Sequence, residues 1–183
     1  MKWQTVPWMI PHLHGQPIRP VAGATAFCQA GPMMNDFALE NFLPFRLNVL
    51  AQTVSERLSV IYATRFNLDI PQWRILANLA SRGDMTAQDI ARITYSHKST
   101  VSRAVQELEN RGLIARKVSP ADKRSFTLAL TSEGRRMFRQ LLPLVLDFER
   151  KLMASISDAD ARALLKGLAA LETVLLDSDG GGE

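Results

Sequence analysis

The chain has one cysteine in 183 residues, Cys28. A disulfide framework within one chain is therefore excluded, and such usage suits a reducing compartment. Long apolar runs are also missing. None approaches the roughly 18 residues that a membrane-spanning helix needs. The first residues lack a secretory pattern, because Pro7, Pro11, His12, His14, Pro17, Arg19 and Pro20 interrupt any apolar stretch. There is no internal repeat. There is no Gly-rich phosphate loop, nucleophile elbow, zinc-ligand spacing or paired acidic motif, so an enzyme is not expected. His12 and His14 with a distant cysteine fall short of a metal site. The expectation is a cytoplasmic protein without cofactor, metal or membrane partner.

What is present is a globular composition, 46% hydrophobic and 22% charged. Residues 1–33 stand apart. They hold five of the nine prolines and two of the three tryptophans, a density of proline that blocks helix and central strand alike. Two readings fit this extension: a flexible arm or a start assigned too early, with Met33 or Met34 as the true start, or an ordered arm that packs its tryptophans on a partner. The acidic, Gly-rich residues 177–183 read as a disordered tail.

Between them, hydrophobic periodicity predicts helices. Leu47, Leu50, Val54, Leu58 and Ile61 recur at steps of three and four and define one face. Pro71 opens a second helix, with Trp73, Leu76, Leu79 and Ala80 as its expected buried side, and Arg82-Gly83-Asp84 closes it. Thr86 and Asp89 resemble a capping box for a third, short helix carrying Ile90, Ala91 and Ile93. A turn at 94–96 leads to a fourth helix with Val101, Ala104, Val105 and Leu108 inward and Gly112 at its end. Strands are expected at 113–118 and 125–130, with Phe126, Leu128 and Leu130 inward. Two strongly apolar helices follow, at 131–153 and 157–176, the second opened by Ser157 and Asp160. They are more apolar than one small core needs, which points to a dimer interface.

Two helices joined by a tight turn and followed by a hairpin make a winged helix-turn-helix, a device that places its second helix in the DNA major groove and its hairpin tip on the neighbouring backbone or minor groove. The outward candidates on that helix are His97, Lys98, Ser99, Thr100, Ser102, Arg103 and Gln106. Arg reads guanine and Gln reads adenine bidentately, while Ser and Thr serve bases or phosphates. Residues 97–124 hold seven Lys or Arg (Lys98, Arg103, Arg111, Arg116, Lys117, Lys123, Arg124) against three acids, a surplus of four. The whole chain carries +4, so the rest is neutral and the basicity is local, as a phosphate footprint should be. A winged helix that binds protein instead of DNA is the alternative.

Five segments carry a resemblance: Pro71-Gln-Trp-Arg-Ile-Leu76, Lys98-Ser-Thr-Val-Ser-Arg103, Leu108-Glu-Asn-Arg-Gly-Leu113, Asp122-Lys-Arg124 and Leu130-Thr-Ser-Glu-Gly134. In order and spacing they resemble the MarR family of bacterial transcriptional regulators. The resemblance implies a mostly α fold with a small β-wing: a winged helix at about 70–130 between dimerisation helices at about 35–66 and 131–176. It implies an obligate homodimer on a pseudo-palindromic operator, most often a repressor released by a small molecule. It assigns DNA contacts to Ser99, Thr100, Ser102 and Arg103, and places Arg124 in the minor groove with Asp122 in support; Arg116 and Lys123 add to the basic wing. A small aromatic acid is the expected effector, with Arg46, Leu50 and Trp73 as its candidate site.

Overall fold

A computed structural model describes residues 37–118 and 126–176. The chain divides into two units, Met1–Ala51 and Gln52–Glu183. In the first, a 3-10 turn at Leu39–Asn41 precedes helix α1 (Leu43–Phe66), with Pro44 in the helix's first turn, where a missing N–H costs nothing. Phe37 stacks edge-on against Phe42 at 5.6 Å. Leu47 and Leu50, on the face that the periodicity marked as apolar, are exposed in the single chain.

The second unit continues α1 and adds α2 (Ile70–Arg82), α3 (Ala87–Ile93), α4 (Lys98–Asn110), β1 (Ile114–Val118), β2 (Phe126–Leu130), α5 (Ser132–Met153) and α6 (Asp158–Leu176). β1 and β2 are antiparallel, with Ile114 opposite Leu130 and Val118 opposite Phe126. Met85, in the α2–α3 connection, extends the sheet by two backbone hydrogen bonds with Leu128, of 3.1 and 2.7 Å. The core gathers Tyr62 of α1, Ile75, Leu76 and Leu79 of α2, Ile90 of α3, Leu108 of α4 and Leu141 of α5 around Leu68, Leu113 and Leu128. Burial pushes the Tyr62 phenol up to about 12.

Helix ends follow their sequence signals closely. Asp69 and Gln72 close a reciprocal capping box on α2. Thr86 accepts from the Asp89 N–H at 3.0 Å, and its hydroxyl donates to the Asp89 carboxylate. That hydroxyl, helped by Arg92, holds Asp89 below the usual carboxylate range. Its stabilising contribution is present above the ordinary aspartate pKa and is lost as pH falls through the lowered one. Ser157 repeats the arrangement with Asp160. α4 ends in a Schellman turn: Leu113 N–H donates to the Leu108 carbonyl and Gly112 N–H to that of Glu109, with Gly112 at φ +66°.

Three expectations need correction. Ala80 is exposed, and the buried stripe of α2 is Gln72, Ile75, Leu76 and Leu79, an i, i+3, i+4, i+7 face. Phe126 is 51% exposed while Ala129 is buried, because the hairpin is only two strands wide and just its base lies on the body. The first helix begins at Leu43, not near residue 35.

Two backbone positions generate tests. A Cβ on Gly134 would overlap the carbonyl of Leu113, where α5 starts against the turn after α4. We expect Gly134→Ala to cost at least about 2 kcal/mol as the two segments are forced apart, read as a lower urea midpoint; an unchanged midpoint would refute that close approach. Tyr95, in the α3–α4 turn, is 90% exposed at φ +50°, a conformation costly for a bulky residue. Tyr95→Gly should raise stability by about 0.5 kcal/mol once the entropy of glycine is set against the strain relieved, and a lower melting temperature would show that the ring makes a stabilising contact.

Candidate nucleic-acid interface

The site is built on α4. One side of the helix is sealed: Val101, Ala104 and Val105 are each 3% exposed and Leu108 is fully buried. The 3.6-residue period then turns Ser99, Ser102, Arg103 and Gln106 to solvent, with Thr100 half-buried at the edge. His97 is the N-cap and makes no side-chain capping bond, and the first turn contains no acid. The helix therefore presents unblocked N–H groups and the positive end of its dipole beside the exposed Lys98. Among the described residues none pairs with the side chains of Lys98 or Arg103. Gln106 donates to the Asn110 amide oxygen at 3.0 Å, so its head group is held along the helix.

α4 and the hairpin share a concave surface. Ala87 and Gln88 of α3, Lys98, Ser102 and Val105 of α4, and Arg116, Phe126 and Leu128 of the strands line a groove of about 320 Å³. Polar and cationic groups of the helix thus lie beside Arg116 of the hairpin. Asp122, Lys123 and Arg124, the expected tip contacts, lie outside the described residues.

Not every cation of the basic segment faces outward. Arg116 bonds Glu109 through Nε at 2.9 and 3.2 Å. Lys117 pairs with Asp84 at 2.8 Å. Arg111 donates to the carbonyls of Phe66 and Asn67, each at 2.7 Å. Their partners lie 7 to 45 positions away in sequence, so a local charge count does not reveal them. The roles of Gln72 and Arg111 went unread for the same reason. The sequence clue to Gln72 was its place three residues after Asp69, the spacing of a capping box.

The candidate effector residues fall in both units. Arg46 and Leu50 are exposed one turn apart on the N-terminal half of α1. Trp73 stacks on Tyr62 at 5.6 Å and on Phe138 at 5.9 Å, both nearly parallel, so much of its ring surface is used in packing α1, α2 and α5 together. Among the described residues no cluster of three or more potential metal ligands occurs, and no helix is long and apolar enough to cross a membrane.

Comparison with known proteins agrees with this geometry. Residues 66–125 match the family model described as MarR family. The chain is 32% identical over 98 residues to the HTH-type transcriptional regulator YwoH of Bacillus subtilis, covering 54% of this chain and 71% of that one. A solved MarR family transcriptional regulator from Silicibacter pomeroyi superposes with a TM-score of 0.68 at 28% identity, over 80% of this chain and 99% of that one. A MarR/EmrR family regulator from Acinetobacter sp. ADP1 superposes with a TM-score of 0.67 at 25% identity, over 77% and 99%. With its winged helix, the exposed basic side of α4 and these relatives, the chain belongs to the MarR family of DNA-binding transcriptional regulators.

Proposed function

We propose that the protein is a homodimeric repressor that grips a pseudo-palindromic operator and is released by a small aromatic anion. The observation that carries the DNA reading is the partition of α4: four sealed apolar positions on one side, and an unobstructed polar and cationic N-terminal half on the other. In this reading His97, Lys98, Ser99, Thr100, Ser102, Arg103 and Gln106 face base edges and phosphates in the major groove. Arg116 and Lys123 add charge on the wing. Arg124 enters the minor groove, with Asp122 steadying it.

The homodimer reading rests on unburied apolar surface. On α6, Leu164, Leu165, Leu168, Leu171, Val174 and Leu175 are 37 to 65% exposed. On α5, Leu142, Leu146 and Leu152 are 36 to 51% exposed. So much unburied apolar surface is unfavourable for an isolated chain, and a second copy, carrying the same faces, covers it by two-fold symmetry. The operator-reading unit then spans about 70–130, with α1 from Leu43 to Phe66 and the helices α5 and α6 joining the protomers. Such a dimer sets two recognition helices about one DNA turn apart, and bound at a promoter it represses by occlusion.

The effector reading rests on residue chemistry. In the first unit Arg46 offers a fork for a carboxylate, with Leu50 one turn on; in the second, Trp73, already stacked on Tyr62 and Phe138, has its indole edge left to offer.

Fluorescence polarisation tests all three parts, using labelled DNA from upstream of the protein's own gene at near-physiological salt with excess unrelated DNA. The expected result is saturable binding at two protomers per site that survives the competitor. Arg103→Ala should weaken it by about tenfold or more. Arg124→Ala should weaken it and also flatten its salt dependence by about one unit of slope. Binding that the competitor abolishes would favour a winged helix whose partner is a protein. Aromatic acids added to the complex should release DNA, and Arg46→Ala should blunt that release while sparing DNA affinity; if no member of the panel acts, the effector assignment fails.

A further inference from the structure

Arg111 and Gln72 look dissimilar in sequence, but they act on one junction. Arg111 caps the C-terminal end of α4, and its guanidinium reaches the end of α1, donating to the carbonyls of Phe66 and Asn67 at 2.7 Å each. Those are orphan acceptors at a helix terminus, where the dipole favours a cation. α1 ends there because Asn67 turns left-handed at φ +50° and its N–H closes on the Ala63 carbonyl. One turn back on the same face of α4, the Glu107 carboxylate accepts from the amide of Gln72. Gln72 is only 5% exposed, and its amide oxygen accepts from the Asp69 N–H at 3.2 Å. The corner between α1 and α2 thus holds the C-terminal half of α4 by three directional, charge-assisted bonds.

The hydrophobic side of α4 does not fix its pose to the same degree. Apolar contact sets how deeply the helix sits but is non-directional, so it resists a small tilt weakly. Ser99 lies 12 residues from Arg111, about 18 Å along a helix. A tilt of about 5° at the clamped end displaces Ser99 by about 1.5 Å, enough to lose a base-edge hydrogen bond. The geometry points to Arg111, Gln72 and Glu107 as positioning residues that set the pose of the recognition helix from the α1–α2 corner. Arg111 is thereby removed from the phosphate-binding set. This inference rests on the DNA-binding reading of α4.

The test compares operator and unrelated DNA, for the full-length protein and for Arg111→Met, Arg111→Lys and Glu107→Ala, over a salt series. Concentrations are normalised to the folded fraction from thermal melts. For Arg111→Met, operator affinity should fall at least about tenfold, while affinity for unrelated DNA and the salt slope stay unchanged. Arg111→Lys keeps the charge but lacks the two-pronged fork, and should show an intermediate loss. Glu107→Ala is the sharper case. Removing an acid from the proposed DNA-binding helix strengthens binding to all DNA by simple electrostatics, whereas the clamp predicts weaker operator binding. A drop of about one in salt slope with Arg111→Met would make Arg111 a phosphate contact and overturn the proposal. An operator-to-unrelated ratio unchanged in all variants would reduce the clamp to a folding contact and overturn it equally. If the unsubstituted protein already fails to prefer the operator, it is the DNA-binding reading that falls, and the positioning role falls with it.

Discussion

The carbonyl of Leu113 is the point on which the described structure turns. It sits one residue beyond the left-handed Gly112 that ends the recognition helix. Thr131 N–H donates to it at 3.1 Å and the Thr131 hydroxyl reaches it at 3.2 Å, while also donating to the Gly112 carbonyl at 2.6 Å. Gly134 lies so close that no side chain fits between. The end of α4, the start of β1, the end of β2 and the first turn of α5 therefore meet in one small volume. The C-terminal end of α4 is thereby fixed. Here backbone groups hold that end together with the Thr131 hydroxyl and the Arg111 guanidinium.

Around this junction the charges divide by partner rather than by position. Lys98 and Arg103 stand on the open face of α4. Arg116, Lys117 and Arg111, from the same basic segment, already hold Glu109, Asp84 and two backbone carbonyls. The surface pairs contribute little stability each. Their effect is on the field: an arginine neutralised by a neighbouring carboxylate attracts phosphate less than a lone one. The surplus of four that the sequence counts is thus an upper bound on what a DNA backbone meets near these residues.

The helix-turn-helix was legible in the sequence because a helix with one sealed side prints its period. Val101, Ala104, Val105 and Leu108 could only be inward together, and the outward set follows by exclusion. Thr86, Ser157 and Gly112 were legible because capping chemistry is local. Two kinds of feature were not. In α2 the buried stripe begins with a glutamine, so a search for apolar side chains shifted the face toward Ala80. In β2 the alternation is real in the residues, but Phe126 extends past the body, and burial depends on what lies opposite. The clamp on α4 joins residues 35 to 45 positions apart, and no spacing rule announces such a pair.

Arg103 and Arg111 show why residue type underdetermines role. Both are arginines of one helix and its cap, eight positions apart. Among the described residues nothing engages the Arg103 guanidinium, which leaves it open to water and counterions. That of Arg111 has its donors committed to two carbonyls, and a planar fork engaged at two points has little freedom to swing toward another acceptor. At contact distance only an uncommitted donor can exchange one partner for another, and this separates the exposed Arg103 from Arg111, whose guanidinium already holds two backbone carbonyls.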